Sequence, residues 1–347
     1  MNGRIGKGLV VGKFWPLHRG HQLLIDRALA LCDEVFVVSY AKPEHERCSP
    51  EMRDRWLAML YPSVTRLVVD DRALAQLCRV KTVPPRQVPG NDASDATHRD
   101  FVGWLCEQVL ETKVDAVFTS ESYGDGFAAA LEARFGASVR HECVDQPRIA
   151  VPISGTQIRS GLFRHRAFVD PRVYADLVPR IGILGGESSG KTTLAQTLAE
   201  RLHTVWAEEY GRELWEQRDG NLCFADMLEI GREQVAREQR LAQGAQSWLI
   251  CDTTPLTTSF YSHEMFGKVD PELGRLASRP YDLIVLCTPD FAFVQDGTRR
   301  GEAFRQEQHR WYVDQLRRRQ LRHMVVAGSI ANRVSAVVSK VSTGALP

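Results

Sequence analysis

Short apolar runs alternate with amphipathic stretches along nearly the whole chain. In the first half, runs such as Leu9-Val10-Val11 predict strands near 7–12, 34–39, 64–69, 114–118 and 137–142. Stretches with apolar residues three and four apart predict helices near 19–31, 51–60, 95–111 and 122–135. Ser49-Pro50 suits a helix start, with Ser as N-cap and Pro at the first helical position. The second half repeats the rhythm, with strands near 180–185, 203–207, 247–251, 282–287 and 324–327 and helices near 190–202, 223–242, 255–266, 302–321 and 329–340. Alternation of this kind predicts an α/β fold with parallel sheets. Residues 79–94, with Pro84, Pro85, Pro89 and the turn Gly90-Asn91, are expected to hold no regular element and to form a flap or a connector. A boundary falls between about 168 and 180, around Pro171 and Pro179, which divides the chain into 1–172 and 173–347.

Composition narrows the class. The chain has 347 residues, 44% hydrophobic and 25% charged, with a formal net charge of +1. That is enough for two cores of ordinary size and argues against a broad polyanion-binding surface. The eight cysteines form no C-x-x-C pair and read as small core hydrophobes in a reducing compartment. No apolar stretch has the length of a membrane span, and no signal-peptide core is visible, so a cytoplasmic protein is expected.

Two strand–turn–helix segments carry phosphate chemistry. In the second half, Gly185-Gly186-Glu187-Ser188-Ser189-Gly190-Lys191-Thr192 satisfies G-x-x-x-x-G-K-[ST] directly after Ile181-Gly182-Ile183-Leu184. Backbone N–H groups of this P-loop, continuing to Thr193, would cradle the phosphates of ATP. Lys191 would bridge the β- and γ-phosphates, and the Thr192 hydroxyl would hold Mg²⁺. Glu208-Glu209 ends the next strand, where a carboxylate commonly meets an acceptor hydroxyl. Asp252 ends a third strand and is expected beside the P-loop as metal holder or base. Which of Glu208, Glu209 and Asp252 takes which part stays open. Asp296-Gly297-Thr298-Arg299-Arg300-Gly301 reads as a lid whose arginines, Arg299 and Arg300, neutralise charge on the transferred phosphoryl group.

In the first half, Gly12-Lys13-Phe14-Trp15-Pro16-Leu17-His18-Arg19-Gly20-His21 gives G-x-F-x-P-x-H-x-G-H. His18 and His21 lie three apart at a helix start, so both rings face one side over the helix dipole. Two imidazole donors there can stabilise charge on an α-phosphate under attack by an acceptor phosphate. Gly12 and Gly20 allow close approach of a nucleotide. A second segment, Ile153-Ser154-Gly155-Thr156-Gln157-Ile158-Arg159, offers Ser154 and Thr156 hydroxyls and Arg159 for the leaving pyrophosphate.

With both segments in this order, the chain resembles the bifunctional nicotinamide mononucleotide adenylyltransferase/ribosylnicotinamide kinase, or NadR-like, family. The shared motifs are those at 12–21, 151–159 and 184–193, together with Glu209-Tyr210-Gly211-Arg212-Glu213, Asp252-Thr253-Thr254-Pro255 and Val294-Gln295-Asp296-Gly297-Thr298-Arg299. The resemblance implies a Rossmann-like nucleotidyltransferase sheet followed by a P-loop kinase sheet. It implies ATP as substrate at both, nicotinamide mononucleotide and nicotinamide riboside as acceptors, and Mg²⁺ as cofactor. Arg53 and Trp56 resemble residues near the nicotinamide pocket, where Trp56 would stack on the pyridinium or simply fill the core. Longer relatives carry a helix-turn-helix ahead of these segments. The residues before Leu9 leave no room for one here, so no nucleic-acid partner is expected. A homo-oligomer stays possible. The alternatives are a P-loop half acting on another nucleoside, or one serving only as a nucleotide sensor.

Overall fold

The computed structural model describes residues 4–45, 47–295, 297 and 299–343. Asp296 and Thr298 of the arginine-bearing loop lie outside the described residues. The chain divides into two compact units, one through Val173 and one from Tyr174. The structure is mixed α/β with two five-stranded parallel sheets, one in each unit.

In the first unit the strands are β1 (Ile5–Val11), β2 (Cys32–Tyr40), β3 (Thr65–Val69), β4 (Ala116–Thr119) and β5 (Arg140–Cys143), in the order β3-β2-β1-β4-β5. The chain winds outward from β1 to β3 and then returns to the other side of β1. This reversal opens a crevice at the carboxyl ends of β1 and β4, where open parallel sheets bind ligands. Leu9, Phe36, Val38 and Val117 from the sheet bury against Phe101, Leu105 and Leu131 from the helices. Helix starts follow local chemistry: Ser49, Asp70 and Ser94 each cap a helix by accepting the backbone N–H of the third residue on.

Three sequence expectations need correction. Residues 79–81 are helical, because the helix Asp71–Lys81 runs on until Thr82 adopts a left-handed φ of 55°. Downstream, the proline-rich stretch is tied into the wall of the crevice. Val88 N–H donates to Asp71 Oδ1 at 2.8 Å and Asn91 N–H to the Lys42 carbonyl at 2.7 Å. The helix expected over 95–111 is α-helical only for Asp95–Trp104 and then widens into a π turn at Leu105–Val109. The expected strand over 203–207 shrinks to Trp206–Ala207, because His203 at φ 52° and Thr204 are used in turning off the preceding helix.

In the second unit, β6 (Arg180–Gly185), β7 (Trp206–Ala207), β8 (Leu249–Asp252), β9 (Leu283–Cys287) and β10 (His323–Val326) pair in the order β10-β9-β6-β8-β7. The strand feeding the P-loop is therefore central, and β8 lies beside it with Asp252 opposite Ile183. Apolar clusters cover both faces, around Ile183, Leu194 and Val285 on one and Leu184, Leu286 and Tyr312 on the other. Among the described residues no helix is long and apolar enough to cross a membrane. All eight cysteines are unpaired, six of them buried.

Candidate functional sites

The first site is built on the start of the helix Arg19–Leu31. His18 Nδ1 accepts the Gly20 N–H at 3.1 Å, and His21 Nδ1 accepts the His18 N–H at 3.4 Å. This reciprocal cap stacks the rings at 3.8 Å, with Phe14 edge-on to His21. Gly20 makes room for it, since a Cβ there would lie 3.0 Å from the His18 ring. With each Nδ1 accepting, a neutral ring must carry its proton on Nε2. Burial, and then the nearby Arg148 and Arg159 cations, bring the His18 pKa down to about 4; burial pushes His21 well down as well. Both imidazoles are therefore neutral Nε2–H donors at physiological pH.

Two cavities meet at His21, and His18 borders the smaller of them. The larger, about 450 Å³, is bounded by Gly12, Lys13, His21, Tyr40, Asn91 and Arg99 among others. The smaller, about 140 Å³, is bounded by His18, Gly20, His21, Glu121, Arg148 and Ser154 among others. Lys13 and Arg148 were not singled out from the sequence. Lys13 sits inside the first motif as a variable residue, and Arg148 precedes the second by several positions, so neither spacing marked them.

The second motif is present but internally engaged. Ser154 caps the short helix Gly155–Ser160, accepting Gln157 N–H at 3.2 Å and donating to Gln157 Oε1 at 2.9 Å. Arg159 lies over the Trp15 ring at 3.8 Å, donating to the Trp15 carbonyl at 2.6 Å and to Thr156 Oγ1 at 2.9 Å. Trp15 in turn stacks on His45 at 3.4 Å. The pocket expected around Arg53 and Trp56 is not formed by those two side chains. Both have 0% exposure, Trp56 belongs to the core, neither bounds the two cavities, and Arg53 pairs with Glu44 at 3.0 Å. An amphipathic helix buries its large aromatic for the same apolar reason that would have made it a stacking platform.

The second site lies at the end of β6. Gly185 through Gly190 form the loop, and Gly190 takes φ 79°, a conformation that L side chains rarely adopt. Ser189 is buried and donates to the Gly186 carbonyl at 2.7 Å, and Lys191 Nζ reaches the same carbonyl at 3.0 Å. From behind, fully buried Arg333 donates to the Ser189 carbonyl at 2.7 Å and lies over Phe291. Thr192 donates to Asp252 Oδ2 at 2.6 Å, as the strand register dictates. Thr193 is exposed on the helix and does not bound the adjoining cavity.

That cavity, about 240 Å³, brings together Glu187, Lys191, Glu209, Arg212, Arg299 and Arg300 with Trp215 and Tyr261 as aromatic walls. Burial and the neighbouring Asp252 raise the Glu209 pKa; burial raises that of Asp252, against the Thr192 hydrogen bond and Lys191. Glu208, by contrast, is exposed. The arginine-bearing loop is fastened to the P-loop: Val294 N–H donates to Ser188 Oγ at 3.0 Å and Arg300 N–H to Glu187 Oε2 at 2.8 Å. Glu187 also accepts from Tyr261 at 3.1 Å. Asp252 Oδ1 is buried with no hydrogen-bond partner among the described residues. With the Thr192 hydroxyl it offers an all-oxygen donor set, which fits a Mg²⁺ whose remaining ligands are phosphate oxygens and water. Among the described residues no three His, Cys, Asp or Glu gather as a metal cage.

Residues 180–333 match the AAA domain family. The chain is 27% identical to the trifunctional NAD biosynthesis/regulator protein NadR of Escherichia coli over 84% of its own length and 71% of that protein's. It is 28% identical to the NadR of Salmonella typhimurium, with the same shares covered. Among solved structures it resembles a NadR protein in complex with NR, with a TM-score of 0.68 and 23% identity over 99% of this chain and 98% of that one. It also resembles a NadR protein in complex with NAD and AMP-PNP, with a TM-score of 0.66 and 21% identity over 98% and 96% of the two chains. Over both units the chain is similar in fold, and over most of its length in sequence, to these NadR proteins.

Proposed function

We propose that the chain is a two-site enzyme of NAD biosynthesis, with residues 1–172 as a nicotinamide mononucleotide adenylyltransferase-like domain and 173–347 as a ribosylnicotinamide kinase-like domain. One observation carries this reading. A stacked pair of buried imidazoles and a P-loop whose Thr192 is hydrogen-bonded to Asp252 occupy the carboxyl ends of two separate parallel sheets. The names of the relatives support the same chemistry.

In the first domain the phosphate of nicotinamide mononucleotide attacks the α-phosphorus of ATP and pyrophosphate leaves. The attacking group is already an anion, so no base is required. His18 and His21 donate Nε2–H bonds to oxygens whose charge rises in the transition state, while Ser154, Thr156 and Arg159 attend the leaving group. In the second domain a hydroxyl of nicotinamide riboside attacks the γ-phosphorus of ATP, the bond to the β-phosphate breaks so that ADP leaves, and the hydroxyl proton passes to a carboxylate of the site. Lys191, Arg299 and Arg300 offset the charge of the transferred group, Asp252 lies nearest Thr192, and Glu209 faces the riboside. Mg²⁺ held by Thr192 and Asp252 would supply charge neutralisation on the phosphates. The product of the second reaction is the substrate of the first.

The test is product analysis with ATP and each acceptor in turn. Nicotinamide mononucleotide should yield NAD and pyrophosphate, and nicotinamide riboside should yield the mononucleotide and ADP. Formation of neither product would sink the proposal, whereas riboside-independent hydrolysis alone would favour a nucleotide sensor.

A further inference from the structure

We propose that Arg148 is a phosphate-binding residue of the first site, held in place by Glu121 until an incoming anion displaces that carboxylate. The inference rests on the adenylyl-transfer reading and adds a residue that neither motif contains.

The turn that presents Arg148 is built for it. Asp145 accepts three consecutive backbone N–H groups, from Ile149 at 2.7 Å, Ala150 at 3.0 Å and Val151 at 2.9 Å. Its carbonyl accepts the Arg148 N–H at 2.8 Å, and Arg148 takes a left-handed φ of 53°. The guanidinium thereby borders the 140 Å³ cavity whose other walls include His18, His21 and Ser154. It donates to Glu121 Oε1 at 3.0 Å and to the Ile153 carbonyl at 3.4 Å. A guanidinium has five N–H groups, so donors remain for a phosphate.

The holding partner is weak by design of its surroundings. Arg148 and Glu121 are 41% and 46% exposed at the side chain, and an ion pair that open to water adds little to stability. A polyphosphate, with more charge and more oxygens than one carboxylate, outcompetes Glu121 for the same fork. The backbone of Glu121 is tied to the end of β4, its N–H donating to Thr119 Oγ1 at 3.4 Å. His141 from β5 reaches Thr119 Oγ1 at 2.9 Å and Asp125 Oδ1 at 2.7 Å, which staples the loop that follows β4. Its ring lies over Gly124, where a Cβ would come within 2.0 Å of Nε2.

The proposal makes the two partners respond with opposite sign. Calorimetry uses pyrophosphate as the probe on the full chain in a Lys191→Ala background, so that the P-loop does not contribute. Arg148→Ala should weaken pyrophosphate binding and lower kcat/KM for adenylyl transfer by roughly 10²-fold, the scale for removing one preorganised donor. Arg148→Lys should recover part of that loss. Glu121→Gln should tighten pyrophosphate by about threefold to tenfold, because a competing anion has gone. A purely structural pair would give weaker binding in both, and that result overturns the proposal, as does wild-type pyrophosphate affinity in Arg148→Ala. If Arg148→Ala fails to melt cooperatively, the opposing signs of Arg148→Lys and Glu121→Gln decide the matter. A wild-type chain that binds pyrophosphate but makes no NAD removes the functional reading and leaves the anion site standing.

Discussion

At the scale of single residues, the two histidines show how a backbone cap fixes chemistry. Each Nδ1 is occupied by a backbone N–H, so each ring offers one donor, and burial keeps it neutral. His18→Ala or His21→Ala should each lower adenylyl transfer by about 10²- to 10³-fold and leave riboside phosphorylation intact. Lys191→Ala should do the reverse, and parallel assays of the two reactions on each variant check both. The pH dependence follows from the same burial. His18 protonates near its ordinary 6.5 when unfolded but only at about 4 when folded. The unfolded state therefore takes up the proton first, and stability falls as pH drops from 6.5 towards 4, levelling above 6.5. Urea midpoints between pH 4 and 8 should show this slope, shallower in His18→Gln. The acid limb of adenylyl transfer should lie well below pH 6.5.

At the scale of elements, caps and loops decide where the side chains point. Ser49→Ala removes the oxygen that accepts Met52 N–H and should cost about 1 kcal/mol, measurable by chemical denaturation. Gly190 is more demanding, with φ 79° and a Cβ position 2.8 Å from Phe291. Gly190→Ala should distort the P-loop, so that KM for ATP in riboside phosphorylation rises by about tenfold or more while adenylyl transfer is unchanged. The arginine-bearing loop shows why an element can be legible in part. Its arginines could be read as a pair in a loop after β9. That the loop is tied down at Ser188 and Glu187 could not, because those bonds join residues more than a hundred positions apart.

At the scale of the whole molecule, two parallel sheets each lead from a central strand through a glycine-bearing turn into a helix. Calorimetry with a non-hydrolysable ATP analogue, with both acceptors present, should find two equivalents per chain, and Lys191→Ala should reduce this to one. A single equivalent in the unmodified chain would contradict two independent sites. Chelation of divalent cations should abolish riboside phosphorylation, restored by Mg²⁺, because Asp252 Oδ1 is buried with no hydrogen-bond partner among the described residues.

What the sequence determined by itself was local. Hydrophobic period placed the ten strands to within a few residues, and fixed spacing within one strand–turn–helix unit marked His18, His21 and the P-loop. Such signals survive in one dimension because a cap, a tight turn and a helix face involve residues only a few positions apart. Tertiary structure decided the rest. Strand order put Asp252 against Thr192, helix packing buried Trp56 away from the two cavities described above, and the fold brought Lys13 beside His21 and Arg148 beside both imidazoles. Burial, and with it the proton affinity of His18, Glu209 and Asp252, depends on which distant segments cover a side chain, and no spacing along the chain encodes that.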